Sequence, residues 1–180
     1  MPRSPLLLVG VLLASLVGPS RSRTIEVPDD VAQIQRAIDL AADGDTVLVH
    51  PGTYFENLDF LGKDLLVTGE DPGDSTAIGG TIVSGKNGDR STVTLKRGET
   101  RAAILQGFSI TGGKGTVVST GPFGGESRAG GGIYIVAASP EIRDCVVRNN
   151  HIAADGQAQG FGAGIHATIG LPVISRCLIR

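Results

Sequence analysis

The sequence predicts an all-β solenoid: short strands wound into about four stacked coils and closed at the N-terminal end by one helix. Three observations lead there. The segments GGGIYIVAASPEIRDCVVR (130–148) and GAGIHATIGLPVISRCLIR (162–180) are near-copies at a fixed offset of 32, matching Ile133 with Ile165, Pro140 with Pro172, Ile142 with Ile174, Cys145 with Cys177 and Val147 with Ile179. A weaker third copy, LQGFSITGG, sets Leu105, Phe108 and Ile110 on the Ile142, Cys145 and Val147 positions. The composition, 27 Gly with no Trp and two Tyr, suits many tight turns around an aliphatic interior. Repeats built from short β-branched runs broken by Gly and Asn mark stacked β coils, whereas helical repeats need longer apolar periodicity.

Within one copy, Ile133 and Ile135 face one way and Tyr134 the other, as strand alternation requires. Pro140 turns the chain, Ile142 returns to the interior, Arg143-Asp144 forms a corner, and Cys145 and Val147 point inward again. Like residues in neighbouring coils then stack at the parallel-strand spacing of about 4.8 Å.

In chain order, residues 1–22 read as an export signal: Arg3, then an apolar run from Leu6 to Val17, then small residues up to Ser22. The run is too short to span a membrane, and no later stretch is longer, so a secreted or cell-surface protein without a transmembrane segment is expected. Residues 23–45 are expected to form a strand (Thr24 to Val27) and a helix. The helix is capped by Asp29 or Asp30, has Val31, Ile34, Ile38 and Ala41 on one face, and stops at Asp43-Gly44. Such a helix would plug the apolar end of the first coil and shield its edge.

Coils are expected over 46–180. The first takes Val47 and Val49, then Leu58 and Phe60, then Leu65 and Val67 as its third side. The next takes Ile78, Ile82, Val93, Leu95, Leu105, Phe108 and Ile110. The strand reaching Arg180 is expected to continue into further coils or a C-terminal module, because it would otherwise stand as an open edge. Cys145 and Cys177, one coil apart, suit a buried unbridged pair, since parallel side-chain vectors fit the disulfide torsion poorly; a strained bridge is the alternative. Without residues 1–22 the chain carries 14 basic and 18 acidic residues, a formal charge of about −4, which leaves no nucleic-acid footprint.

The run AIDLAADGDTVLVHPGTYFENLDFLGKDLLVTGED, with GFSITGG, GGGIYIVAASPEIRDCVVRNN and PVISRCLIR, resembles the exported bacterial right-handed parallel β-helix proteins of the pectin-lyase-like superfamily. The resemblance covers nearly all of the chain after residue 22 and implies a right-handed coil. It is specific for fold and weak for activity, because that architecture carries lyases, hydrolases, esterases and non-catalytic surface proteins. GTYFE (52–56) resembles the first block of pectin methylesterases, a Gly-x-Tyr-x-Glu pattern. The QDTL and DFIFG segments that supply that family's catalytic Asp pair are missing, as is the RxPxxR segment of pectate lyases, so no catalytic residue is assigned. Gly52 and Tyr54 then read as turn and packing residues beside the first coil.

Chemistry is sparse elsewhere. His50, His151 and His166 lie far apart in sequence, and no metal site is assigned. Glu70, Asp71 and Asp74 surround a Pro-Gly turn, and Ca²⁺ is the only cofactor to weigh there, against ordinary turn chemistry. The outer face is the better candidate. Tyr134 and His166 share one outward repeat position, flanked by Gly-rich loops 112–129 and 153–161, and Arg148 and Arg180 share another. A shallow groove walled by those loops, with guanidinium groups for acidic sugars, is the expected substrate-binding surface; a solvated ladder is the plain alternative. Asn149 and Asn150 read as turn residues. Three functions follow: a non-catalytic exported solenoid that contacts polysaccharide or cell-surface glycan, a fragment of a polysaccharide lyase or hydrolase, or a structural spacer.

Overall fold

The computed structural model describes residues 21–119, 126–152 and 160–180, so most of the expected export segment lies outside the described residues. Among the described residues the first elements are β1 (Thr24–Val27), whose Ile25 and Val27 face inward, and α1 (Ile34–Leu40), which buries Ile34, Ala37 and Ile38. β2 (Thr46–Val49), β3 (Gly52–Tyr54) and β4 (Leu58–Asp59) then belong to three different sheets. The same circuit recurs as β5 (Leu66–Gly69), the short helix α2 (Ser75–Gly80), β6 (Thr81–Ser84) and β7 (Val93–Leu95). It recurs again as β8 (Ile104–Gln106) and β9 (Ser109–Thr111), a detour through β10 (Thr116–Ser119) and β11 (Glu126–Ala129), and β12 (Ile133–Val136). Next come β13 (Glu141–Arg143), β14 (Val146–Val147), β15 (Gly160–Phe161) and β16 (Ile165–Thr168), and finally β17 (Val173–Ser175) and β18 (Leu178–Ile179).

The three main sheets have orders β1-β2-β5-β8-β13-β17, β3-β6-β9-β14-β18 and β4-β7-β12-β16. Each of their pairings is parallel; among the described residues the antiparallel pair is β10 with β11, in a side sheet that also holds β15. The result is a parallel, solenoid-like all-β architecture. Among the described residues no helix is long and apolar enough to cross a membrane.

Register turns the repeat into a core. Ile25, Val47, Val67, Leu105, Ile142 and Ile174 are successive partners across the first sheet. Tyr54, Val83, Ile110, Val147 and Ile179 follow one another across the second, and Leu58, Val93, Ile133 and Ile165 across the third. The expected matches of Ile133 with Ile165, Ile142 with Ile174 and Leu105 with Ile142 are all present. Burial is complete in the middle and fades toward the last strands: Ile142 is fully buried, whereas Ile174 is 40% exposed. Because a parallel ladder covers each apolar residue mainly with its neighbours above and below, a residue with one neighbour and no helix over it stays half open, whereas Ile25 and Leu58, which lie under α1, are buried.

Several expectations need correction. Leu65 and Val67 do not close the first circuit but open the second, since β5 pairs with β2; the missing side is β3, whose Gly-Thr-Tyr carries no apolar alternation. In β6 it is Val83, not Ile82, that enters the core, because Thr-Ile-Val-Ser reads equally well in either register and pairing with β9 decides it. Asp29 and Asp30 do not cap α1. The free N–H groups of Ile34 and Gln35 are met by the Glu56 carboxylate at 3.0 and 2.9 Å, and Lys63 Nζ donates to the Ile38, Asp39 and Ala41 carbonyls at the other end. A seven-residue helix is marginal alone; here both of its unpaired ends are satisfied by the first circuit it covers. The stretch 112–129 is not simply a loop, since it contains β10 and β11; residues 120–125, like 153–159, lie outside the described residues.

The corners keep one backbone state. Gly107, Asp144 and Arg176 stack in sequence at the turn after the first sheet, and all three have positive φ (82°, 51° and 50°). The Arg176 guanidinium grips the Asp144 carboxylate of the preceding circuit with two bonds of 2.6 and 2.7 Å, which holds Asp144 below the usual carboxylate range. Asn150 acts as a turn residue, as expected, donating to the Ile110 and Arg148 carbonyls and accepting from Gly113 N–H.

The burial gradient yields a comparison. Ile142→Ala should cost ~2–5 kcal/mol and Ile174→Ala ~1 kcal/mol; urea unfolding of both variants checks this, and equal losses would contradict the ladder. A second expectation concerns acid. The buried Asp45 carboxylate accepts from Ala42 N–H, Arg23 N–H and Arg23 Nε at 2.9, 2.9 and 3.0 Å, and these bonds, the Ala42 bond foremost, lower its pKa. A folded-state pKa below the unfolded one stabilises the fold at pH values above the ordinary carboxylate value of about 4, and the contribution is lost as pH falls through the lowered value. Asp45→Asn should therefore lower the Tm at pH 7, with the gap to the parent chain shrinking at about pH 3 in thermal melts.

Candidate functional site

The outer face of the third sheet carries the expected aromatic pair. Tyr134 and His166 are partners in β12 and β16, and their rings stack with centroids 5.8 Å apart and planes 12° from parallel. Phe161, from the side sheet, approaches His166 at 6.2 Å with a tilted ring. Strand alternation sends these side chains away from the core, as Ile133 and Ile135 take the inner positions. One point differs from expectation. Tyr134 is 9% exposed, so its ring is not offered to solvent, and its burial pushes the phenol up. The accessible aromatic surface belongs to His166 and to Phe161, which is 40% exposed.

Glycines let the detours pass this close. A Cβ on Gly131 would lie 2.1 Å from the Ala163 carbonyl oxygen, and one on Gly113 would lie 1.9 Å from the Gly131 carbonyl oxygen. Gly131 and Gly132 are thus contact positions between adjacent circuits, and Gly113 is one within its own detour, where a side chain would force the backbones apart.

Arg148 and Arg180 follow the paired residues Val147 and Ile179, so they repeat as expected, on the second sheet. Among the described residues neither guanidinium enters an ion pair, and no hydrogen bond joins them to Tyr134 or His166. The two ladders therefore stand as separate features on separate sheets.

Cys145 and Cys177 stack in the register the repeat predicts, with Leu178 N–H on the Cys145 carbonyl, and both are free thiols. Burial pushes the Cys145 thiol up, while the hydrogen bond from Cys145 lowers the half-buried Cys177.

A constellation the sequence reading did not assemble lies at the end of the first sheet. Glu26 of β1, Asp29 of the following turn and His50, which follows β2, bring their ligand atoms within 4.8 Å of one another. His50 Nε2 is 3.1 Å from Glu26 Oε2 and 3.7 Å from Asp29 Oδ2, and Nδ1 bonds Glu70 Oε1. Glu70 foremost, then Glu26, raises the His50 pKa. The position is fixed by His50 N–H on the Val27 carbonyl and Tyr54 Oη on the His50 carbonyl at 2.9 Å. Tyr54 is the packing residue expected of GTYFE, and its ring occupies the space where a Gly52 side chain would project. Glu70 thus leaves the acidic turn, while Asp71 and Asp74 spend an oxygen each on Gly73 and Thr76 N–H groups.

The chain matches no family model, no curated protein and no solved structure. The geometry itself therefore carries the functional reading.

Two signals could have exposed the His50 group. Aligning IEVP, VLVHP and LVTGED on their inward residues sets Pro28, His50 and Glu70 at one level, with spacings of 22 and 20 that are shorter than the offset of 32. Glu26 and Asp29 lie within two residues of that level. The thiols supply a test: iodoacetamide should alkylate Cys177 in the native protein while sparing Cys145 until unfolding, as peptide mass mapping would read out. Equal modification of both would contradict the stacking.

Proposed function

We propose that the chain is an exported, non-catalytic right-handed parallel β-helix of about four coils, similar to the pectin-lyase-like superfamily, that holds polysaccharide at the cell surface. The observation that carries this reading is the aromatic ladder on the third sheet, Tyr134 under His166 with Phe161 beside it. A buried Tyr134 holds the His166 ring in a fixed plane, and the half-exposed Phe161 adds a second apolar surface at an angle. Sugar rings have apolar faces that lie against such surfaces, and preorganised rings lose little conformational freedom on binding. Arg148 and Arg180 add paired charge for carboxylates of acidic sugars on the neighbouring sheet.

The non-catalytic part rests on chemistry. Cleavage of a uronic-acid polymer needs a base placed beside the acidic proton and a cation on the carboxylate. His166 meets aromatic rings, with no carboxylate orienting it among the described residues. The experiment is a glycan array followed by calorimetry with polygalacturonate, alginate and chondroitin oligosaccharides. Binding is expected to weaken at least about tenfold in Phe161→Ala and His166→Ala, with no rise in ultraviolet absorbance from unsaturated ends. Absence of binding to any glycan would favour the spacer, and turnover lost in His166→Ala would favour the enzyme fragment.

A further inference from the structure

The corner at the end of the first sheet gathers three carboxylates around one imidazole. Among the described residues no Lys or Arg pairs with Glu26, Asp29 or Glu70; their shared ionic partner is His50. Glu70 engages Nδ1 from behind, which leaves Nε2 facing Glu26 Oε2 at 3.1 Å. Asp29 Oδ2, at 3.7 Å, stands beyond hydrogen-bond range of the ring, so the ring satisfies Glu26 and Glu70 but not Asp29, although all three ligand atoms of Glu26, Asp29 and His50 converge on one point.

We propose that Glu26, Asp29 and His50 bind a divalent transition-metal ion of the zinc class, with Glu70 orienting the imidazole from behind. The donor distances fit. Bonds of about 2.0–2.1 Å in a tetrahedron set ligand atoms roughly 3.3 Å apart, and the two distances from Nε2, 3.1 and 3.7 Å, fall on either side of that value. The third separation stays within 4.8 Å, close enough to contract when a cation screens the carboxylates. The donor set excludes Ca²⁺ as the preferred ion, since that ion takes six to eight oxygens and this corner offers a nitrogen first. A carboxylate on the far nitrogen of a ligating histidine is the usual support of such a centre, because it sets the tautomer and raises the ligand's basicity.

The scaffold is built before the metal arrives. Glu26 is held through its N–H by Asp30 Oδ2, Asp30 N–H returns to the Glu26 carbonyl, and His50 is fixed through both its N–H and its carbonyl. Asp29 therefore rides on a closed turn, not a free tail. The side chains of Glu26 and Asp29 are 43% and 70% exposed, so three protein ligands would leave a fourth position open to water or to an external donor.

The test is calorimetric titration of the full chain with Zn²⁺ at fixed pH, with Co²⁺ as a spectroscopic substitute and long-range proton–nitrogen spectra of the His50 ring. The expected result is one equivalent bound, tetrahedral Co²⁺ bands, and a shift of His50 Nε2 while the Nδ1 proton stays in place. Glu26→Gln, Asp29→Asn and His50→Gln should each weaken binding at least about tenfold, and His151→Ala should leave it unchanged. The carboxamide variants keep shape at exposed positions, so they remain informative if His50→Gln folds poorly. Failure to bind Zn²⁺ at millimolar concentration, or an affinity in both Glu26→Gln and Asp29→Asn unchanged from that of the parent chain, would overturn the assignment and leave an imidazolium bridging Glu26 and Glu70.

Discussion

Everything in this molecule hangs on the in-register parallel pairing of each circuit with the next. The strands are two to four residues long, too short to hold together as isolated hairpins or sheets. They persist because every strand in the middle of the stack donates and accepts along both edges, and because the same register that aligns the amides also aligns apolar residues of similar size. A shift by one residue would turn Val67, Leu105 and Ile142 outward together. The hydrogen-bond ladder and the hydrophobic ladder are thus one constraint seen from two sides.

That constraint leaves the ends and outer surfaces to be solved separately. At the first circuit the solution is α1, a helix too short for self-sufficiency whose termini are satisfied by Glu56 and Lys63 from the segments that join the strands it covers. The covering helix and the covered circuit stabilise each other. On the outside, chemistry accumulates where register brings unlike residues level, as with His50 and Glu70, or equivalent outward residues level, as with Tyr134 and His166.

Much of the core was legible because residues 130–148 and 162–180 repeat with a constant offset, and a constant offset is a register. The pairs Ile133–Ile165, Ile142–Ile174 and Cys145–Cys177 could be written down from the letters alone. Upstream the offset changes with each circuit: Thr24 pairs with Thr46, Thr46 with Leu66, Leu66 with Ile104 and Ile104 with Glu141. There β3 is hidden because Gly-Thr-Tyr lacks alternation, and the His50 group is hidden because the strands that carry it stack at offsets of 22 and 20, not 32. The stacking of Tyr134 on His166 is visible as a shared position, but the burial of Tyr134 is not, since strand alternation gives only the outward direction of its ring. Within GTYFE nothing marks Glu56 as a capping residue, because its carboxylate serves a helix that ends 16 residues earlier.

The segments joining the second sheet to the third run from Tyr54 to Leu58, Ser84 to Val93, Thr111 to Ile133 and Val147 to Ile165. They differ severalfold in length, yet the strands on either side keep their pairing. Circuit length and register are therefore independent variables in this architecture, so residues can be inserted at that one corner without disturbing an interior contact. A lineage carrying such a stack could lengthen or exchange its corner segments freely, remaking one flank of the molecule in sequence and in specificity while selection on the interior stayed the same.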